Sequence, residues 1–137
     1  GIPIIKALRE GLTANRIEWI AGIINGTSNF ILSEMRAKGA SFATVLAEAQ
    51  ARGYAEADPT FDIEGIDAAH KLTIMSAIAF GVPMQFEKVY TEGISKLTGT
   101  TVEIACLYTI CVTVFFSSTT YWSNDSIWPC SLMPLTR

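Results

Sequence analysis

The feature that most limits how this chain can fold is a long apolar segment, from about residue 62 to residue 79, that follows a group of acidic residues. Apolar residues recur through it at helical spacing, and it ends at "GVP", residues 81–83. Glycine followed closely by proline is typical of the end of a helix. The sequence therefore predicts a helix from about Asp62 or Ile63 to Ala79. The segment in front of it, residues 53–61, contains Glu56 and Asp58 and is predicted to form a loop.

Shorter elements are predicted around this helix. Helices are indicated by capping residues and terminal glycines, and strands by alternating apolar residues. The predicted helices run from Pro3 to Gly11, from a cap at Thr27 or Ser28 to Gly39, and from Ser41 to Gly53, and the predicted strands are 16–24 and 86–94. This order of elements predicts an α+β fold in which helices pack on a small sheet.

Composition argues against two classes of protein. The net charge is −3 and the Lys and Arg residues are scattered singly, a pattern that argues against a nucleic-acid binder. The N-terminus lacks a cationic region followed by a long apolar core, so no secretory signal peptide is predicted. We expect a cytoplasmic protein, in which Cys106 and Cys111 act as small hydrophobic residues.

The last part of the chain differs from the rest. Residues 104–137 contain only Asp125 and Arg137 as charged residues. A membrane span needs about 20 predominantly apolar residues, and residues 104–122 reach that length only by including the polar residues 117–120. Two interpretations stay open, a buried β-rich segment or membrane attachment through residues 104–122.

Carboxylates and one lysine form the candidate functional site. Asp67 and Lys71 are four residues apart on the predicted helix, so they share one face. Asp62 lies at the predicted helix start, where it can cap free N–H groups, and Glu56 lies in the loop before it. In a functional interpretation, Glu56 and Asp62 bind a cationic amino group. Asp67 then orients Lys71, which transfers a proton.

A plainer interpretation of the same residues is an N-capped helix with an ordinary surface ion pair, worth about 0.3–0.5 kcal/mol. Other candidate sites are weak. His70, the single histidine, is interpreted as packed or half exposed rather than catalytic. No HExxH motif and no Cys/His ligand spacing occurs in the sequence, so no metal site is predicted.

Three motifs in order resemble the catalytic domain of homoserine dehydrogenase. They are "GIPIIKALREGL", "GIINGTSNFIL" and "GYAEADPTFDIEGIDAAHKLTIMSAIAFG", and the similarity continues through "EGISKL" to residue 97. The resemblance implies an oxidoreductase that interconverts L-homoserine and L-aspartate 4-semialdehyde with NAD or NADP, on the route to threonine, isoleucine and methionine. It also implies a small-molecule substrate and allows a homodimer.

The resemblance gives each candidate residue a role. Glu56 corresponds to the glutamate that binds the amino group of the substrate, and Asp62 to an aspartate in the same pocket. Asp67 corresponds to the aspartate near the reacting hydroxyl, and Lys71 to the lysine assigned as proton donor. These roles suit the chemistry, because oxidising an alcohol releases a proton that a nearby base must accept.

Two departures from the family pattern limit what the chain is expected to do. The Rossmann half of the family, with its Gly-rich phosphate loop, is expected to precede Gly1, and no GxGxxG occurs in this sequence. We therefore expect a partial catalytic domain at 1–97 that is inactive and binds no NAD(P)H by itself. Residues 98–137 are predicted to be an unrelated or frameshifted tail. A folded remnant without activity is the alternative to an oxidoreductase.

Overall fold

Helices dominate residues 2–97, the part of the chain that the computed structural model describes. The elements in order are α1 (Ile4–Lys6) with a π-helical turn (Ala7–Gly11), α2 (Gly26–Lys38), α3 (Phe42–Ala51), α4 (Thr60–Ile63), α5 (Ile66–Phe80) and a 3₁₀ turn (Phe86–Lys88). The predicted tail at 98–137 and the possible membrane segment at 104–122 lie outside the described residues. Within 2–97, no helix has the length and apolar character needed to cross a membrane.

Capping residues explain where α2 and α3 begin and end. The Ser41 side chain caps α3 by accepting a hydrogen bond from the backbone N–H of Thr44 at 3.3 Å, as predicted. Gly39 ends α2 in the left-handed conformation, with φ of 63°, also as predicted. The predicted cap of α2 at Thr27 or Ser28 is wrong, because Asn25 caps this helix. Asparagine is as good an N-cap as serine and lies earlier in the chain.

The helix predicted from about Asp62 to Ala79 is two helices, α4 and α5. Gly65 separates them with φ of 79°, a backbone conformation that glycine adopts without strain. Gly65 is buried, and a Cβ atom at this position would lie 3.5 Å from the carbonyl oxygen of Glu92. Asp62 therefore belongs to α4, and its predicted role as the N-cap of the long helix is wrong.

The predicted strands are the main error in the fold prediction. Neither 16–24 nor 86–94 forms a strand in the structure of residues 2–97, and Phe86–Lys88 is a 3₁₀ turn instead. A strand is stabilised by backbone hydrogen bonds to a neighbouring strand, and neither segment belongs to such a ladder within the part of the chain that the structure describes. The helices of the predicted α+β fold are thus present, whereas the small sheet is not found in the described residues.

Two hydrophobic clusters hold the helices together. The first joins α2 to α3, and Ile31, Val45 and Ala49 in it are fully buried. The second joins α5 to the π-helical turn through Leu8, Leu72 and Met75, with Ile17, Ile20 and Ile24 packed against it. Ile24 packs against the second cluster, and α2, which begins at Gly26, belongs to the first. The two clusters together therefore hold residues 24–26 against α5.

Candidate active site

Four side chains, from the start of α2, from α4 and from the first two turns of α5, form one continuous hydrogen-bonded network. We call it the acid–lysine network, and its members are Asn25, Asp62, Asp67 and Lys71. The Asn25 Nδ2 atom donates to Asp62 Oδ1 at 2.7 Å and to Asp67 Oδ2 at 2.9 Å. Lys71 Nζ donates to the same Asp67 oxygen at 2.5 Å. It also donates to the backbone carbonyl oxygen of Ile24 at 2.9 Å. Residues far apart in the chain therefore meet at one place.

The helix α5 places two members of this network. Asp67 lies in its first turn, where the partial positive charge of the helix N-terminus stabilises a carboxylate. Lys71 lies one turn later on the same face. The Asp67 side chain is 21% exposed and the Lys71 side chain is 48% exposed. The ion pair therefore lies at the protein surface, and Asp67 is the more buried of its two residues.

The pKa of Asp67 is lowered from its ordinary value of 3.8. Burial acts in the opposite direction and raises the pKa, because it disfavours the charged form. Hydrogen bonds from Lys71 and from Asn25, together with the positive charge of Lys71, outweigh burial. Asp67 is therefore an ionised hydrogen-bond acceptor at neutral pH.

The network lies on the wall of an open cleft of about 670 Å³. Known small-molecule pockets have volumes of roughly 300–1,000 Å³, so the cleft has room for a small substrate. Thr27, Gly53 and Tyr54 also line the cleft. Thr27 Oγ1 donates to the carbonyl oxygen of Tyr54 at 3.0 Å, and the Tyr54 ring stacks on Phe30 with 4.5 Å between ring centroids. These contacts hold the start of the acidic loop against α2.

The structure brings together three of the four predicted site residues. Asp62, Asp67 and Lys71 line the cleft, whereas Glu56 is exposed and does not contribute to its lining. The backbone carbonyl oxygen of Glu56 accepts a hydrogen bond from Gln50 Nε2 at 3.0 Å, which ties this part of the loop to α3. The role of Glu56 in substrate binding stays a prediction.

Sequence reasoning missed Asn25 as a site residue. The one available signal was its position immediately before a helix start, where asparagine is a preferred cap. The cap is present, since Asn25 Oδ1 accepts a hydrogen bond from the backbone N–H of Ser28 at 2.8 Å. The contacts of its Nδ2 atom with Asp62 and Asp67 join residues 37 and 42 positions apart. The residues next to Asn25 in the sequence therefore do not indicate these contacts.

His70 is exposed, contacts two aromatic rings and does not line the cleft. Its ring centroid lies 4.3 Å from that of Phe86 and 5.5 Å from that of Phe61. The interpretation was that His70 is packed or half exposed, and the structure places it at an exposed position. No group of three or more His, Cys, Asp or Glu side chains within residues 2–97 is arranged to hold a metal ion.

The glycine-containing segment at the start of α2 does not fit a dinucleotide phosphate. A helix N-terminus binds phosphate through free backbone N–H groups, but the N–H of Ser28 already donates to Asn25. The carboxylates of Asp62 and Asp67 also lie beside this helix end and would repel an anion. This end of α2 suits a cation or a hydrogen-bond donor instead.

The resemblance drawn from the three motifs is confirmed by homologous proteins. A family model described as homoserine dehydrogenase matches residues 3–110, which is more than half of the chain. The chain belongs to the homoserine dehydrogenase family. The match continues beyond residue 97, the predicted end of the family-like part. That boundary and the origin of residues 98–137 stay predictions.

Individual members of the homoserine dehydrogenase family are closely similar to this chain. The homoserine dehydrogenase of Pseudomonas aeruginosa is 76% identical over 105 residues, which are 77% of this chain and 24% of that relative. The crystal structure of a homoserine dehydrogenase from Thiobacillus denitrificans is 81% identical and superposes with a TM-score of 0.73, covering 77% of this chain and 25% of that one.

A more distant structure adds a cofactor-bound relative. A hyperthermophilic archaeal homoserine dehydrogenase mutant in complex with NADPH is 33% identical, with a TM-score of 0.63, over 71% of this chain and 30% of that one. The chain thus spans about a quarter of the length of the Pseudomonas aeruginosa and Thiobacillus denitrificans relatives. The described residues correspond to one part of a larger enzyme in these relatives.

Proposed function

We propose that this chain forms the substrate-binding and proton-transferring part of a homoserine dehydrogenase. The reaction is the interconversion of L-homoserine and L-aspartate 4-semialdehyde. The observation that carries the proposal is the acid–lysine network on the wall of the cleft, in a chain that belongs to this family. An ordinary surface ion pair would not need the further contacts that Asn25 and Ile24 make with it.

Lys71 is the proposed proton-transfer residue. A lysine amine has three N–H donors when charged, and the contacts with Asp67 and the carbonyl of Ile24 use two of them. The remaining donor is available to an oxygen atom in the cleft. When the aldehyde is reduced, with the hydride for the carbonyl carbon supplied by the reduced cofactor, the ammonium group of Lys71 donates a proton to the carbonyl oxygen, which becomes a hydroxyl. In the oxidation direction the amine takes the proton back.

Asp62 and Glu56 are the proposed contacts of the substrate ammonium group. The contact between Asp62 and Asn25 uses Oδ1, which leaves Oδ2 as an acceptor. A charge-assisted hydrogen bond from an ammonium group to a carboxylate is about twice as strong as a neutral one. A carboxylate in the cleft therefore favours an amino acid over an uncharged alcohol. Glu56 is the proposed second carboxylate, although in this structure it is exposed and lies outside the lining of the cleft.

NAD or NADP is the proposed cofactor, by analogy with the relative that binds NADPH. The start of α2 does not fit its phosphates, so we propose that the cofactor is bound outside residues 2–97. No step of the proton transfer by Lys71 depends on where that site lies.

A chimeric enzyme tests the proposed function. Residues 3–97 of this chain replace the matching segment of the Pseudomonas aeruginosa homoserine dehydrogenase, and homoserine oxidation is followed by the absorbance of the reduced cofactor. We expect kcat/KM within about tenfold of the parent enzyme, because the segment already contains the proposed site. A folded chimera that binds cofactor but does not oxidise homoserine would contradict the proposal.

A further inference from the structure

We propose that Asn25 is a positioning residue of this site, because its amide group holds the carboxylates of Asp62 and Asp67 side by side and thereby fixes the Asp67–Lys71 pair. The inference rests on the proposed function. It adds to that function a residue that takes no part in proton transfer and whose role is to orient those that do.

Hydrogen bonding determines how the Asn25 amide is oriented. Its Oδ1 atom accepts from the backbone N–H of Ser28 at 2.8 Å, and its Nδ2 atom donates to two carboxylates at 2.7 and 2.9 Å. The opposite orientation would place the amide oxygen against both carboxylates and the amide nitrogen against an N–H group. Every polar contact would then be repulsive, so only one orientation satisfies the site.

A neutral donor suits this position for an electrostatic reason. Two neighbouring carboxylates disfavour each other's charged form, and a shared donor offsets part of that cost. Lysine or arginine would do the same but would also cancel the negative charge of the site. The Asn25 amide leaves the charge of Asp62 and Asp67 in place, so that Asp67 can hold Lys71 and Asp62 can attract an ammonium group.

Residues 24 and 25 hold both members of the Asp67–Lys71 pair. The carbonyl oxygen of Ile24 accepts from Lys71 Nζ at 2.9 Å, and the side chain of the next residue, Asn25, contacts Asp67. A separate contact, from Ser28 Oγ to the carbonyl oxygen of Asp62 at 3.0 Å, ties α4 to α2. Removing the Asn25 amide should therefore release the carboxylates without detaching the helices that carry them.

Two substitutions separate the positioning role from the capping role. Asn25→Asp keeps the shape and an oxygen that can cap α2, since aspartate is a good N-cap, but it removes both donors and adds a third carboxylate. Asn25→Ser also keeps a cap and is neutral. As a control, Ser41→Ala removes the cap of α3, which does not border the cleft. We expect Ser41→Ala to lower stability and leave kcat unchanged.

The kinetic test uses the chimeric enzyme. We expect Asn25→Asp to lower kcat about 10- to 100-fold and Asn25→Ser to lower it less, because each loses charge-assisted hydrogen bonds that orient Asp67. The pH profile gives a readout that a purely structural role would not move. The titratable groups near Asp67 are Asp62 from α4, and Lys71 and His70 on its own helix. With Asn25 as donor the pKa of Asp67 is lowered, so loss of the donor moves the acid limb of kcat/KM to higher pH.

A second measurement does not depend on activity. Carboxyl ¹³C NMR of the 137-residue chain follows the titration of Asp67, and we expect a higher pKa in both Asn25 variants. The inference is overturned if both variants leave this titration and kcat unchanged while Lys71→Ala still abolishes turnover, and the proposed function then stands. Near-normal turnover of the Lys71→Ala chimera would overturn the proposed function and this inference with it.

Discussion

Lys71→Ala is expected to lower kcat of the chimeric enzyme by about 10²- to 10⁴-fold, the usual contribution of a positioned general acid or base. KM for homoserine should change little, because the substrate ammonium group is proposed to pair with Asp62 and Glu56 rather than with Lys71. Steady-state kinetics in the oxidation direction separates the two constants. Equal losses in kcat and kcat/KM would indicate an interaction made only in the transition state.

A matched lysine provides the control for this substitution. The amine of Lys38 pairs with Glu34 and with Glu48, each at 2.6 Å, and its side chain is 42% exposed, close to the exposure of Lys71. It lies at the far end of α2 and does not line the cleft. We expect Lys38→Ala to leave kcat and KM unchanged. Near-normal kcat in Lys71→Ala would remove that lysine from the proposed proton transfer.

Glu56→Gln is expected to raise KM for homoserine about 10- to 100-fold, with a smaller effect on kcat. The substitution keeps the size of the side chain and removes the charge that is proposed to bind the substrate ammonium group. Hydrogen bonds to charged groups contribute about 1.5–3 kcal/mol, which corresponds to this range. Steady-state kinetics of the chimeric enzyme with L-homoserine measures the change.

Asp58 gives the matched control for Glu56, because it is a carboxylate in the same loop. Its Oδ1 atom accepts hydrogen bonds from the backbone N–H and the hydroxyl of Thr60, at 3.2 and 2.6 Å, so it is already engaged away from the cleft. Asp58→Asn removes the same charge and keeps an acceptor. We expect no change in KM. Equal increases in the two variants would mean that overall loop charge, and not Glu56, attracts the substrate.

Local signals were enough to predict the helices but not the strands. Ser41 and Gly39 mark helix ends through contacts with residues a few positions away, which the sequence shows directly. The break between α4 and α5 also has a local cause, Gly65, which the helical pattern around it concealed. Residues 16–24 and 86–94 alternate as strands do, but a strand also depends on a partner whose identity no local pattern supplies.

In the candidate site too, contacts between near neighbours in the sequence were predictable and contacts between distant residues were not. Asp67 and Lys71 were predictable as a pair, because residues four apart on a helix always share a face. Asp62 was predicted in the same cleft, although its place at a helix start was wrong. The contacts of Asn25 with the two aspartates and of Ile24 with the lysine join separate helices. They follow from the packing of the two hydrophobic clusters, which the sequence does not reveal.

A crystal structure of the chimeric enzyme with L-homoserine bound tests the central claim most directly. The claim is that the cleft bordered by the acid–lysine network binds the substrate. We expect the homoserine hydroxyl oxygen to lie about 2.6–3.2 Å from Lys71 Nζ, with the substrate ammonium group against the carboxylates of Asp62 and Glu56. Homoserine bound in another cavity, or bound in this cleft with its hydroxyl turned away from Lys71, would contradict the account.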